Sequence, residues 1–206
     1  MLPKEKLQNL YEKGLSMMDI AERENLSNSG VAYLMNKYGI KRRPRSEANY
    51  IKYNPKGDPF KIKQLKSKRD FELFNLGVGL FLGEGTKKNK FSLNLTNSDP
   101  KIIKLFLKFL REICGVKGEK FRAGLNIFDD IDVKKTTRFW SKTTQIPLFR
   151  FLKPTVRKNK GGSYKNKSLR GTLTIYVLNK KLKELMDKWC ENATSRDSSV
   201  GRAFHW

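Results

Sequence analysis

The chain has 206 residues, enough for one large domain or two small ones with a real core. Its 44 Lys+Arg against 20 Asp+Glu give a formal charge of +24, which argues for a polyanion such as nucleic acid as partner. A hydrophobic content of 38% excludes a wholly disordered basic tail, and two cysteines and one histidine exclude a disulfide framework and a zinc-ligand set. No run approaches the roughly 18 to 20 apolar residues of a membrane span, and no signal-peptide pattern opens the chain. A reducing, cytoplasmic and nucleoid-associated protein with no membrane partner is expected.

Residues 1–40 read as three short helices. The first carries Leu7, Leu10 and Tyr11 on one face and stops at Gly14. Ser16 stands where an N-cap belongs, before a helix with Ile20 and Ala21 inward. After the turn Asn25-Leu26-Ser27, a third helix carries Val31, Leu34 and Met35 and ends at Gly39. Helices this short must share a core. The stretch from Leu15 through Leu26-Ser27 to Val31 resembles the helix-turn-helix of resolvases and small transcription regulators. On that reading Ser27, Asn28, Ser29, Tyr33, Asn36 and Lys37 face base edges or phosphates. The alternative is a trihelical packing or protein-interaction module.

From 41 to 69 there are eleven Lys/Arg and two acids, with Pro44, Pro55, Gly57 and Pro59 breaking any periodicity. This reads as a basic linker in which Arg42, Arg43 and Arg45 supply phosphate affinity without sequence preference.

The second domain spans 70–190. A helical stretch from Phe71 to Gly83 ends in Glu84-Gly85, and an alternating strand follows with Phe91, Leu93 and Leu95 against Ser92, Asn94 and Thr96. Asp99-Pro100 caps an amphipathic helix with Ile103, Phe106, Leu107, Leu110 and Ile113 on its core face. A strand from Lys120 to Phe128, a helix around Phe139-Trp140, a strand from Thr172 to Leu178 and a helix from Lys180 to Cys190 complete an α+β domain. Between them, 153–170 holds seven basic residues and no acids, and Arg157, Lys158, Lys160, Lys165 and Lys167 are expected to meet the phosphate backbone. Residues 191–206 show no periodicity and read as a loose tail. Its segment 197–203 can be encoded by a string that resembles the D-arm of a transfer-RNA gene.

The stretch Leu76 to Gly85 is the most informative. Glycines at 77, 79 and 83 each cost a helix roughly 1 kcal/mol relative to alanine, and they let a second backbone approach closely. The acid at the helix end, Glu84, would then lie at that contact, where a buried carboxylate calls for a cation. The alternative is a glycine-rich core helix ending in a solvated Glu84 with Gly85 as its C-cap.

Gly77 to Gly85 resembles the signature helix of the LAGLIDADG homing endonucleases, whose last three positions map onto Gly83-Glu84-Gly85. The likeness covers about residues 70–190 and extends to Phe139-Trp140-Ser141-Lys142, Ile146-Pro147, Phe151 to Pro154 and Gly171 to Val177, which look like the bacterial and archaeal branch. It departs at Val78 and Leu82, where the name motif has small or acidic letters. A near-match at Ala123 to Asp130 lacks the glycine after the acid and alternates like a strand, so it is not a second copy.

The resemblance implies an α+β chain: a small all-α helix-turn-helix, then a LAGLIDADG-type domain with an antiparallel, saddle-shaped sheet in the major groove. One signature per chain implies a homodimer through Gly77, Gly79, Leu80 and Gly83. It also implies Glu84 as ligand of Mg²⁺ or another divalent cation, double-stranded DNA as substrate, and Ser92, Asn94, Thr96, Arg122 and Asn126 as base-reading residues. A basic catalytic residue, Lys153 or Lys120, follows from the same source. The activity implied is sequence-specific, metal-dependent DNA cleavage. The alternatives are a DNA-binding transcription regulator that does not cut and an RNA-binding intron maturase.

Overall fold

The structure is a computed structural model that describes residues 2–158 and 168–195. The expectations placed on Lys160, Lys165, Lys167 and the segment 197–203 lie outside the described residues. The chain is mixed α+β and divides into two compact units, residues 1–59 and 60–206.

In the first unit, α1 (Lys4–Glu12), α2 (Met17–Arg23) and α3 (Asn28–Lys37) bury Leu7, Leu10, Ile20, Ala21, Val31, Leu34 and Met35 together. The caps explain where the helices start. Ser16 and Asp19 bond reciprocally, the Ser16 hydroxyl accepting from the Asp19 N–H and the Asp19 carboxylate from the Ser16 N–H. The Ser27 hydroxyl accepts from the Gly30 N–H at 3.0 Å.

The basic segment 41–69 does not behave as a linker along its length. It forms α4 (Arg45–Tyr53), a helix with no buried residue whose Ile51 lies against Gly14. Arg43 fastens this segment to α1. Its backbone N–H donates to the Tyr11 hydroxyl (2.8 Å), its guanidinium sits 3.8 Å from the centre of the Tyr11 ring, and Nη1 donates to the Leu15 carbonyl. The later part belongs to the second unit. Lys61 and Lys63 donate backbone N–H bonds to the carbonyls of Cys114 and Ile113, and Phe60, Ile62 and Leu65 pack on the second core.

The second unit runs α5 (Lys68–Glu84), β1 (Ser92–Asn97), α6 (Pro100–Glu112), β2 (Phe121–Phe128), α7 (Val133–Thr144), β3 (Thr155–Arg157), β4 (Thr172–Leu178) and α8 (Lys180–Thr194). The last helix therefore continues four residues into the segment read as tail. The four-stranded sheet has the order β1-β4-β2-β3. Pairs β1–β4 and β4–β2 are antiparallel, but β2–β3 is parallel, with Asn126 opposite Thr155 and Phe128 opposite Arg157. The sheet is thus mixed, not wholly antiparallel. The reason is α7, a crossover that carries the chain back so that β3 starts from the same end as β2.

One sheet face, with Leu93, Leu95, Phe121, Ala123, Leu125, Leu173, Ile175 and Val177, is packed under α5, α6 and α8. Phe74, Phe81, Phe106, Phe109 and Trp189 fill the space between. Lys183 of α8 is fully buried in this layer, paired with Asp187 at 2.5 Å and lying 5.6 Å from the Phe81 ring centre. A buried ammonium of this kind is satisfied by its partner and is read as structural.

A second capping box starts α5. The Asp70 N–H donates to the Ser67 hydroxyl, and the Asp70 carboxylate accepts from the Ser67 N–H and from Lys63 Nζ at 2.7 Å. The Lys63 bond is the main cause that holds the Asp70 carboxyl down at about 2, below its ordinary 3.8. A carboxyl depressed on folding contributes stability that is complete above its unfolded value and lost as pH falls toward the folded one. Thermal melts are expected to drop between about pH 4 and pH 2 in the native chain. Asp70→Asn should melt lower at neutral pH and lose less across that acid window. Parallel losses in both proteins would remove Asp70 as a cause.

Candidate nucleic-acid interface

Helix α5 has two unlike faces. Leu73, Phe74, Gly77, Val78 and Phe81 face the core. Leu76, Gly79, Leu80, Gly83 and Glu84, spaced i, i+3, i+4, i+7 and i+8, share the other side. On it Leu76 is half exposed, and a Cβ added at Gly79 or Gly83 would meet nothing within 4 Å. Gly77 does not belong to this side. A Cβ there would stand 2.1 Å from Cγ of Phe109, so Gly77 lets α6 approach within the chain and is not on a dimer surface.

Glu84 is exposed at the end of α5, which removes burial as the reason for a cation there. Gly85 is extended (φ −77°) and not a left-handed cap. Glycine is needed because a Cβ would lie 2.4 Å from the Phe81 ring and carbonyl. From there the backbone bridges to Leu95, and the Thr86 N–H donates to the Asn94 carbonyl at 2.9 Å, so Glu84 is delivered to the edge of the sheet beside β1.

The sheet's other face is polar. By register its rows run Ser92–Leu178, Asn94–Tyr176–Arg122, Thr96–Thr174–Gly124 and Thr172–Asn126–Thr155 across the strands. Arg122, Thr155 and Arg157 are exposed, as is Lys158 just past β3, while Asn126, Thr172 and Tyr176 are partly so. The β1 residues are not free to read bases as the alternation predicts. Ser92 and Asn94 are buried and bonded to each other at 2.8 Å, and the Thr96 hydroxyl is paired with that of Thr174. The polar groups of β1 are thus engaged with one another and with β4, whereas Arg122 is exposed and Asn126 partly so on β2.

Neither predicted basic catalytic residue is beside Glu84 within one chain. Phe151 bridges to Ala123 and Asn126 pairs with Thr155, so Lys153 stands beyond β2 at the level of Gly124 and Leu125, near the Thr96 row. That is three strand spacings from β1, about 14 Å. Lys120 precedes β2 at the Ser92 end, about four residues or 13 Å along the strands from that row.

In the first unit Asn28, Ser29, Tyr33, Asn36 and Lys37 are all exposed on α3, so the helix offers them as one polar surface. Ser27 is exposed too, with its hydroxyl engaged in the cap and with Ser29. Arg42 and Arg45 are exposed, whereas Arg43 is the half-buried clamp described above.

No family model, characterised protein or solved structure matches the chain. Among the described residues no helix is long and apolar enough to cross a membrane, and no three His, Cys, Asp or Glu side chains gather to hold a metal ion. What α5 itself brings to a cation at this place is the Glu84 carboxylate together with the negative end of the helix dipole. Both are hard, oxygen-based and suited to Mg²⁺, but fall short of the roughly six oxygens it takes. Sequence reasoning missed Tyr176, Thr172 and Thr155 on the polar face. For Tyr176 the signal was Gly124 in the middle of a strand, a mark of close approach. Thr172 and Thr155 reach this face through their pairing with Asn126, which nothing local in the sequence announces.

Proposed function

We propose that the chain is a homodimeric, metal-dependent duplex-DNA endonuclease of the LAGLIDADG type, with the helix-turn-helix extending the contacted site. The observation that carries the reading is the exposed small-residue side of α5 ending in Glu84 at the edge of a polar, basic sheet face. Glycine in a helix costs stability, and Gly79 and Gly83 repay nothing inside their own chain. A second copy of α5 on that side would supply what is missing and bring two Glu84 carboxylates together. Those carboxylates and DNA phosphate oxygens would hold Mg²⁺, which supplies charge neutralisation at the phosphate and an activated water.

The chain's own residues then have distinct tasks. Glu84 holds a charge at a fixed place, because the Gly85–Leu95 bridge and the Phe81 contact fix the helix end against β1. Arg122 and Asn126 present donors to base edges, and Arg157 and Lys158 meet phosphates. The polar side of α3 adds a further contact with its own half-site.

Incubation with a randomised duplex library, with Mg²⁺ and with EDTA, and sequencing of the ends tests the proposal. Defined breaks that require Mg²⁺ are expected, at a site with two-fold character. Enrichment without breaks would replace the enzyme by a regulator. No enrichment of duplex, with capture of RNA, would replace both by a maturase.

A further inference from the structure

The middle of the polar sheet face holds a side chain placed by a glycine. Tyr176 of β4 pairs with Asn94 on one side and Arg122 on the other. Gly124 is its diagonal neighbour on β2. A Cβ at Gly124 would stand 2.9 Å from Cε2 and 3.1 Å from the hydroxyl oxygen of Tyr176. Strands are about 4.8 Å apart, so a ring whose far end rests on a diagonal neighbour lies along the sheet instead of standing up from it. Any side chain at 124 would lift it. Its hydroxyl rests above the Gly124 backbone, and the ring surface turned away from the sheet is apolar. Around it lie Arg122, exposed, and the Thr96–Thr174 hydroxyl pair.

We infer that Tyr176, laid down over Gly124, is a specificity-determining residue that makes apolar contact with the C5-methyl of a thymine in the major groove. The inference rests on the duplex-DNA reading proposed above. A flat apolar surface among polar groups matches the one apolar group on major-groove base edges, the thymine methyl. Arg122 beside it is placed to donate to the neighbouring base pair, and guanine O6/N7 is its usual acceptor. Stacking on unpaired bases is the weaker fit, because sheets that do so stack two or three bases in succession. Here Tyr176 is the one aromatic of its cross-strand row, between Arg122 and Asn94, while the partly buried Phe128 lies three rows away at the far end of β2.

The test uses the full chain and a duplex selected from the randomised library, with each thymine replaced in turn by deoxyuracil, which lacks the methyl. The native protein should bind about four-fold more weakly at one position per half-site, the loss expected for one buried carbon. Tyr176→Phe keeps the ring and should keep that response. Tyr176→Ala should bind the two duplexes equally, and so should Gly124→Ala, whose fold is checked by its melting curve. A response that survives in Tyr176→Ala, or vanishes in Tyr176→Phe, overturns the inference. So does a selected site without a responsive thymine. If duplex is selected and cut but no position responds, this inference alone has failed. If no duplex is selected, or single-stranded RNA binds more tightly, the functional reading has failed with it.

Discussion

Glu84→Gln is expected to reduce Mg²⁺-dependent cleavage by more than about a hundredfold, since removing even the outer partners of metal ligands costs about 10- to 100-fold. Duplex binding in EDTA should be retained, because Glu84 is an acid that contributes nothing attractive to a phosphate backbone. Two further readouts separate a metal ligand from a structural residue. An acid at the C-terminal end of a 17-residue helix opposes the helix dipole, so the amide should leave the melting temperature unchanged or raise it. Two carboxylates facing each other across a dimer axis repel when no cation lies between them. The variant dimer should therefore be tighter than the native one in EDTA, and the native dimer should tighten when Mg²⁺ is added. Cleavage that persists in the variant would move the active site elsewhere. A lower melting temperature would make Glu84 a structural residue.

How much of this was legible depends on what each signal reports. Helices α1 to α3 and α6 were readable because caps and stops bracket their apolar stripes: Ser16, Ser27 and Asp99 at the starts, Gly14 and Gly39 beyond the ends. Helix α4 was not, because it buries no residue and is flanked by Pro44 and Pro55, so periodicity had nothing to report. Strand β3 was hidden for a different reason. It is three residues long, lies in a basic run, and gains its partner only when α7 returns the chain to β2. The alternation in β1 told correctly that Leu93 and Leu95 face the core, but it says nothing of what lies on the opposite face. Asn94 is buried there beside Tyr176, 82 residues later in sequence. The candidate site follows the same rule. The position of Glu84 at a helix end was local and readable, whereas the separation of Lys153 and Lys120 from it is a property of strand order.

The resemblance groups Gly77 with Gly79 on one interface, although residues two apart on a helix do not share a face. The structure turns that into a contrast within one motif. Gly77→Ala should destabilise the second unit strongly. The new Cβ would lie 2.1 Å, 2.3 Å and 2.5 Å from three atoms of the Phe109 ring. That ring is fully buried, with Phe106, Phe74 and Trp189 centred 6.0–6.4 Å away, so it has nowhere to move. Overpacking at the upper end of the usual range costs about 3 kcal/mol, offset by about 1 kcal/mol of helix propensity. A net loss of about 2 kcal/mol corresponds to a fall of roughly 4 to 8 °C in melting temperature. Gly79→Leu, two residues on, adds a far larger side chain to a position with nothing within 4 Å. The isolated chain should accept it and gain slightly from helix propensity. Sedimentation at matched concentrations should instead find the dimer lost and cleavage lost with it, because four added carbons occupy the space the second helix needs. If Gly79→Leu dimerises and cuts as well as the native chain, the open side of α5 is not an interface. The homodimer and the paired Glu84 site would both fall with that result.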